Sequence, residues 1–123
     1  MADASFNDKF EQIRKRFAGR FDDAVAETTA SLPLLDGEGQ NAIQAVEAAY
    51  HRLHQMCGSG RTLGFSHLGH AAGAAEAILL DPFRERRALT SFEVGLLRQA
   101  LDALRAAARI DLHFEKDERG QSA

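Results

Sequence analysis

The chain of 123 residues carries 15 Lys and Arg against 18 Asp and Glu, with one cysteine and no tryptophan. That length suits one domain of about 100–150 residues, and a net charge of −3 lacks the basic face that nucleic-acid binding requires. A lone Cys57 excludes an internal disulfide framework and CxxC metal sites, and the apolar run over 71–80 is broken by Glu76 and too short to span a bilayer.

The first dozen residues lack the apolar stretch of a secretory signal, so the cytoplasm is the expected compartment. Ala and Leu number 36 while Val, Ile and Thr total 11, a balance that favours helix because straight or small side chains lose little rotamer freedom there. Phe6, Phe10, Ile13, Phe17, Phe21, Val25, Thr28 and Leu32 recur at steps of three and four, the stripe of one long amphipathic helix. The whole phenylalanine stripe is expected in the core, with Asn7 and Asp8 near the helix start and Pro33 at its stop. Asp36-Gly37-Glu38-Gly39 reads as a loop.

A second helix places Ile43, Val46, Tyr50, Leu53 and Cys57 on its buried stripe, and a third places Phe65, Leu68, Ala72, Ala75 and Leu79, ended by Asp81-Pro82. Phe83 to Leu89, with Arg84, Arg86 and Arg87, reads as a polar, solvated connection. Thr90 followed by Glu93 fits a capping box that opens a fourth helix with Val94, Leu97, Leu101, Leu104 and Ala108 at helical steps. Residues 114–123 are charged and apolar-poor and read as a disordered tail, leaving 1–113 as a single domain. Four amphipathic stripes joined by short loops bury themselves most simply as an all-α, antiparallel up-down-up-down four-helix bundle.

Five of the ten glycines and four of the five histidines fall between residues 51 and 73. On a helical wheel His54 lies about 70° from the centre of the apolar stripe, at the edge where core meets solvent. Glu47, His51, Gly58 and Arg61 share its flank. Gly58 follows His54 by one turn, so no side chain stands beyond the imidazole. Gly58 and Gly60 each cost roughly 0.5–1 kcal/mol relative to Ala in a helix, which suggests that something bulky approaches His54.

The run His54-Gln-Met-Cys-Gly58-Ser-Gly-Arg-Thr-Leu-Gly64-Phe65 resembles the signature of histidine-containing phosphotransfer (HPt) domains. That signature has a histidine, glycines four and ten residues later, and small residues between, here Ser59 and Gly60. Phe65-Ser-His-Leu68 and Glu76 continue the likeness, and in the chemotaxis-kinase branch a glutamate at this position hydrogen-bonds the phosphoacceptor imidazole. The family usually has Lys three residues after the histidine. Here that residue is Cys57, which packs inward as a small hydrophobe, while Arg61 on the same flank could supply the missing cation.

The resemblance implies a phosphocarrier rather than an enzyme. His54 would accept a phosphoryl group from a receiver-domain aspartate or a histidine-kinase pathway and pass it to another response regulator. Glu76 would fix the imidazole tautomer and offset developing positive charge. No cofactor is expected on this chain, because Mg²⁺ belongs to the partner receiver. The implied partners are receiver domains and a sensor histidine kinase, and the expected state is a diffusing monomer. Eight arginines against five acidic residues over 51–110 would suit an acidic receiver pocket through steering. Two rival readings remain: a degenerate HPt fold that binds a receiver or kinase without carrying phosphate, and a metal- or haem-binding bundle built on His51/His54 and His67/His70.

Overall fold

The computed structural model describes residues 2–112, with side chains from Phe6 onward, so the tail expected over 114–123 lies outside the described residues. Four α-helices follow one another: α1 Ala2–Leu35, α2 Gly39–Thr62, α3 Ser66–Glu85 and α4 Ser91–Asp111. Each packs on its neighbours in sequence, and α4 closes the ring on α1, which is the expected antiparallel bundle. The widest interface is that of α2 with α3.

The core is built from one stripe per helix. Phe17, Phe21, Val25, Thr28, Leu32 and Leu35 come from α1, and Ala42, Val46, Ala49, Leu53, Met56 and Cys57 from α2. Leu68, Ala72, Ala75 and Leu79 of α3 meet Val94, Leu97, Leu101 and Leu104 of α4. Thr28 is fully buried, yet its hydroxyl donates to the Ala24 carbonyl at 2.8 Å, so no polar group is left unsatisfied there. Ile43 and Tyr50 are only half-buried, on the rim of the α2 stripe rather than inside it.

The α1 stripe does not stay buried to its start. Phe6 is 68%, Ile13 43% and Phe10 36% exposed, against the expectation that the whole stripe is core. The reason is length: 34 residues make α1 about 51 Å long, while the 24 of α2 span about 36 Å. The end of the α2–α3 unit meets α1 where Phe65 stacks on Phe17 and lies under the Arg14 guanidinium, 4.9 Å from its ring centroid. The apolar period runs on past that point, where no facing helix remains among the described residues.

Neither proline ends its helix where expected. Pro33 and Pro82 both sit in last turns, and the helices run on to Leu35 and Glu85. A proline that close to the end forfeits a single backbone bond, and Pro82 is itself buried in the core. α3 then closes through Arg86, which adopts a left-handed conformation with φ 53°. The Arg86 and Arg87 amides donate to the Phe83 and Pro82 carbonyls, the paired bonds that satisfy a helix C-terminus, here built without the usual glycine.

The Arg84–Arg87 segment is more ordered than a solvated connection. Arg87 donates two hydrogen bonds to Glu93, at 2.8 and 3.1 Å, and a third to Glu85 at 2.9 Å. Glu93 completes the capping box of α4 with Thr90 in both directions, as expected. Its hydrogen bonds from Arg87, outweighing partial burial and aided by the Thr90 amide, hold its carboxyl down to about 2.

Candidate functional site

His54 and Glu76 meet across the seam between α2 and α3. The Nδ1 of His54 lies 2.6 Å from Glu76 Oε2, a short contact of the kind a charged acceptor favours. An ionised carboxylate can only accept, so in the neutral-ring tautomer that donates from Nδ1 to Glu76 the lone pair stands on Nε2. The imidazole is 64% exposed and the carboxylate 19%. The arrangement therefore offers solvent a nucleophilic nitrogen on a ring already anchored from behind. It follows from helix geometry: His54 stands at the edge of its stripe, and Glu76 follows the buried Ala75 on the adjoining helix.

The glycines around this pair do different things. A β-carbon on Gly58 would meet nothing within 4 Å, so the turn beyond His54 is open. Gly60, by contrast, is buried, and a β-carbon there would lie 3.0 Å from Leu68 Cδ2 and 3.4 Å from the Gly69 backbone. It serves the close crossing of α2 and α3 rather than access to His54. Gly64 sits in the turn between these helices with φ +86°, a conformation costly for any residue with a β-carbon.

Arg61 explains two further glycines. A β-carbon on Gly69 would sit 2.8 Å from Arg61 Cγ, and one on Gly73 would lie 3.4 Å from both an Arg61 terminal nitrogen and Cys57 Sγ. The arginine stem thus runs along a slot on α3, and its guanidinium rests over Gly73, one turn before Glu76. Cys57 is buried, as its inward position on the wheel implies. His54, Glu76, Gly58, Cys57 and Arg61 are therefore brought to one seam, while Gly64 stands apart in the turn that joins the two helices.

Sequence reasoning missed the aromatic neighbours of His54. The Tyr50 ring lies one turn earlier, with its centroid 5.9 Å from that of His54 and the planes 15° apart. Tyr50 is in turn stacked on Phe83, at 4.2 Å and 10°. His51 meets both rings edge-on, at 5.7 and 5.3 Å. The spacing of Tyr50 to His54 is a readable signal; Phe83 reads in the sequence as part of a connection, and only the extra turn of α3 brings it here.

His67 forms a second histidine–carboxylate pair, with Nδ1 2.9 Å from Asp111 Oδ1, while the other Asp111 oxygen accepts the Leu68 amide at 2.8 Å. Asp111 thereby ties the end of α4 to the first turn of α3. His54 and His67 each face a separate carboxylate, and among the described residues no three His, Cys, Asp or Glu side chains converge as metal ligands would. Among the described residues no helix is long and apolar enough to cross a membrane.

The family model of the Hpt domain matches residues 11–107. A gliding motility regulatory protein of Myxococcus xanthus is 33% identical over 96 residues, which is 76% of this chain. The aligned region is about 12% of that relative's length. No solved structure gives a significant match.

Proposed function

The chain belongs to the Hpt domain family, the phosphocarriers of two-component signalling, and on that premise we propose that His54 is its phosphoacceptor. The observation that carries the reading is the exposed imidazole anchored at Nδ1 by Glu76, 2.6 Å away, with an open turn at Gly58 beside it. In the proposed transfer the Nε2 lone pair attacks the phosphorus of an aspartyl phosphate on a receiver domain. The N–P bond forms as the P–O bond breaks, and the departing carboxylate keeps the electron pair. No proton need leave the ring. The Nδ1 proton stays on the hydrogen bond to Glu76, whose negative charge offsets the positive charge the ring acquires. Passing the group to a second receiver reverses these steps.

Phosphoryl transfer of this kind is largely alignment and charge neutralisation. Arg61 is proposed to contribute the second of these. Its guanidinium and the Cys57 sulfur both flank Gly73, so the arginine is proposed to stand in for the usual lysine, and an arginine can pair with two phosphoryl oxygens. Gly58 leaves room for the incoming receiver, and Cys57 packs beneath the site. The proposed partners are receiver domains and a histidine kinase, with Mg²⁺ held by the receiver and no cofactor on this chain.

The test is incubation with a ³²P-phosphorylated receiver. An acid-labile, base-stable label on the wild type, absent from His54→Gln, is the expected result. A chain that binds the receiver and takes up no label would instead be an adaptor that keeps the fold without the chemistry. A label that survives in His54→Gln would move the acceptor elsewhere, with His67 the first alternative to examine.

A further inference from the structure

We propose that Tyr50, braced by Phe83, is a positioning residue for the His54 imidazole, an inference that rests on His54 being the acceptor. One hydrogen bond to Glu76 fixes a single point of the ring. An imidazole that is 64% exposed can still swing about that contact. The near-parallel Tyr50 ring adds a face, and a point plus a face defines the plane in which Nε2 projects. Tyr50 is held in its turn by the Phe83 ring 4.2 Å away, at the far end of α3. Glu76 and Phe83 lie on the same helix, so α3 supplies both constraints, one directly and one through Tyr50.

Two physical effects follow. Alignment of the attacking nitrogen within a narrow cone is worth a substantial part of the barrier in a transfer that offers the protein little other chemistry. The ring also becomes cationic as the N–P bond forms, and an aromatic face within about 6 Å favours a cation. His67 gives an internal comparison. It has the same Nδ1–carboxylate contact, at 2.9 Å, and no stacked aromatic partner among the described residues. The carboxylate contact alone therefore recurs in this fold at a place with no aromatic support, whereas the combination with a stacked ring and an open turn is found at His54.

The experiment is rapid-quench transfer from a ³²P-phosphorylated receiver, with receiver concentration varied to separate the limiting rate from half-saturation. Tyr50→Phe keeps the ring and should stay within about twofold of wild type. Tyr50→Leu should lower the limiting rate roughly three- to tenfold, the equivalent of one aromatic contact, and leave half-saturation unchanged. Phe83→Leu, in the opposing helix, should give a similar fall, and the double variant should be no slower than Tyr50→Leu. The proposal is overturned if Tyr50→Leu and Phe83→Leu keep the wild-type limiting rate, or if Tyr50→Phe is as slow as Tyr50→Leu. It is equally overturned if the loss lies wholly in half-saturation, which would make these rings a docking surface. A His54→Gln control run in parallel keeps the two questions apart, because loss of all label there upholds the acceptor whatever Tyr50 does.

Discussion

Replacing Glu76 by Gln changes one oxygen into an amide nitrogen at nearly constant volume, so it removes charge while leaving a group that can still accept from Nδ1. A hydrogen bond to a charged partner contributes about 1.5–3 kcal/mol net, against about 1 kcal/mol for a neutral one. The difference is about 0.5–2 kcal/mol, and because the imidazole is 64% exposed solvent screening keeps it away from the upper end, at about 1 kcal/mol. That loss applies where the ring carries positive charge, in the transition state and in the phosphohistidine, and it corresponds to a roughly fivefold slower uptake. Because the phosphorylated ring is affected as well, the equilibrium between phosphohistidine and aspartyl phosphate should shift toward the receiver by a similar factor.

Glu76→Ala removes anchor and charge together and should be slower still, roughly tenfold or more below wild type, since a free ring samples many non-productive orientations. Single-turnover quench measurements in both directions give the rates and the equilibrium, with circular dichroism reporting the fold. An intact Glu76→Gln protein with unchanged rate and equilibrium would refute the electrostatic role. A Gln variant slower than the Ala variant would refute the anchoring geometry.

Other expectations can be measured on the same protein. Arg61→Ala should slow uptake roughly three- to tenfold while Cys57→Ala leaves it unchanged, and equal rates for the two would remove Arg61 from the site. The Glu93 carboxyl is held down to about 2 from an ordinary 4.5, mainly by Arg87, so its stabilisation is fully present above pH 4.5 and fades as pH falls toward 2. Wild type and Glu93→Gln should therefore differ by about 1 kcal/mol near neutrality and converge in acid, as urea melts at several pH values would show. Gly64→Ala meets φ +86° and should cost about 1 kcal/mol in a thermal melt, with transfer chemistry unaffected.

Much of this was legible in the sequence because it rests on periodicity. The stripes from Phe17 to Leu32 and from Val94 to Leu104 read directly as buried faces, and the spacing of His54 and Gly58 marked the turn that carries the proposed acceptor. Periodicity says nothing about where a facing helix ends, so it places Phe6, Phe10 and Ile13 in a core that does not extend that far. Local rules about proline failed at Pro82 for a similar reason, since burial of the ring and closure at Arg86 are tertiary facts. That extra turn of α3 carries Phe83 to Tyr50, and without it the aromatic support of His54 was invisible. The slot for Arg61 was likewise hidden, because it depends on Gly69 and Gly73 facing a side chain from another helix.

His54 and Glu76 belong to the two helices that share the widest interface in the bundle, and this bears on how the protein opens. Local unfolding begins where few buried contacts oppose it. The start of α1, with Phe6 and Ile13 in solvent, should exchange its amide hydrogens quickly, whereas the midsections of α2 and α3 should exchange only with global opening. The helical hairpin that bears the proposed acceptor would then be the last to come apart. A phosphoryl group held there would keep its protein surroundings through every partial opening, and its lifetime would be governed by hydrolysis and partner encounter instead of by fluctuations of the fold.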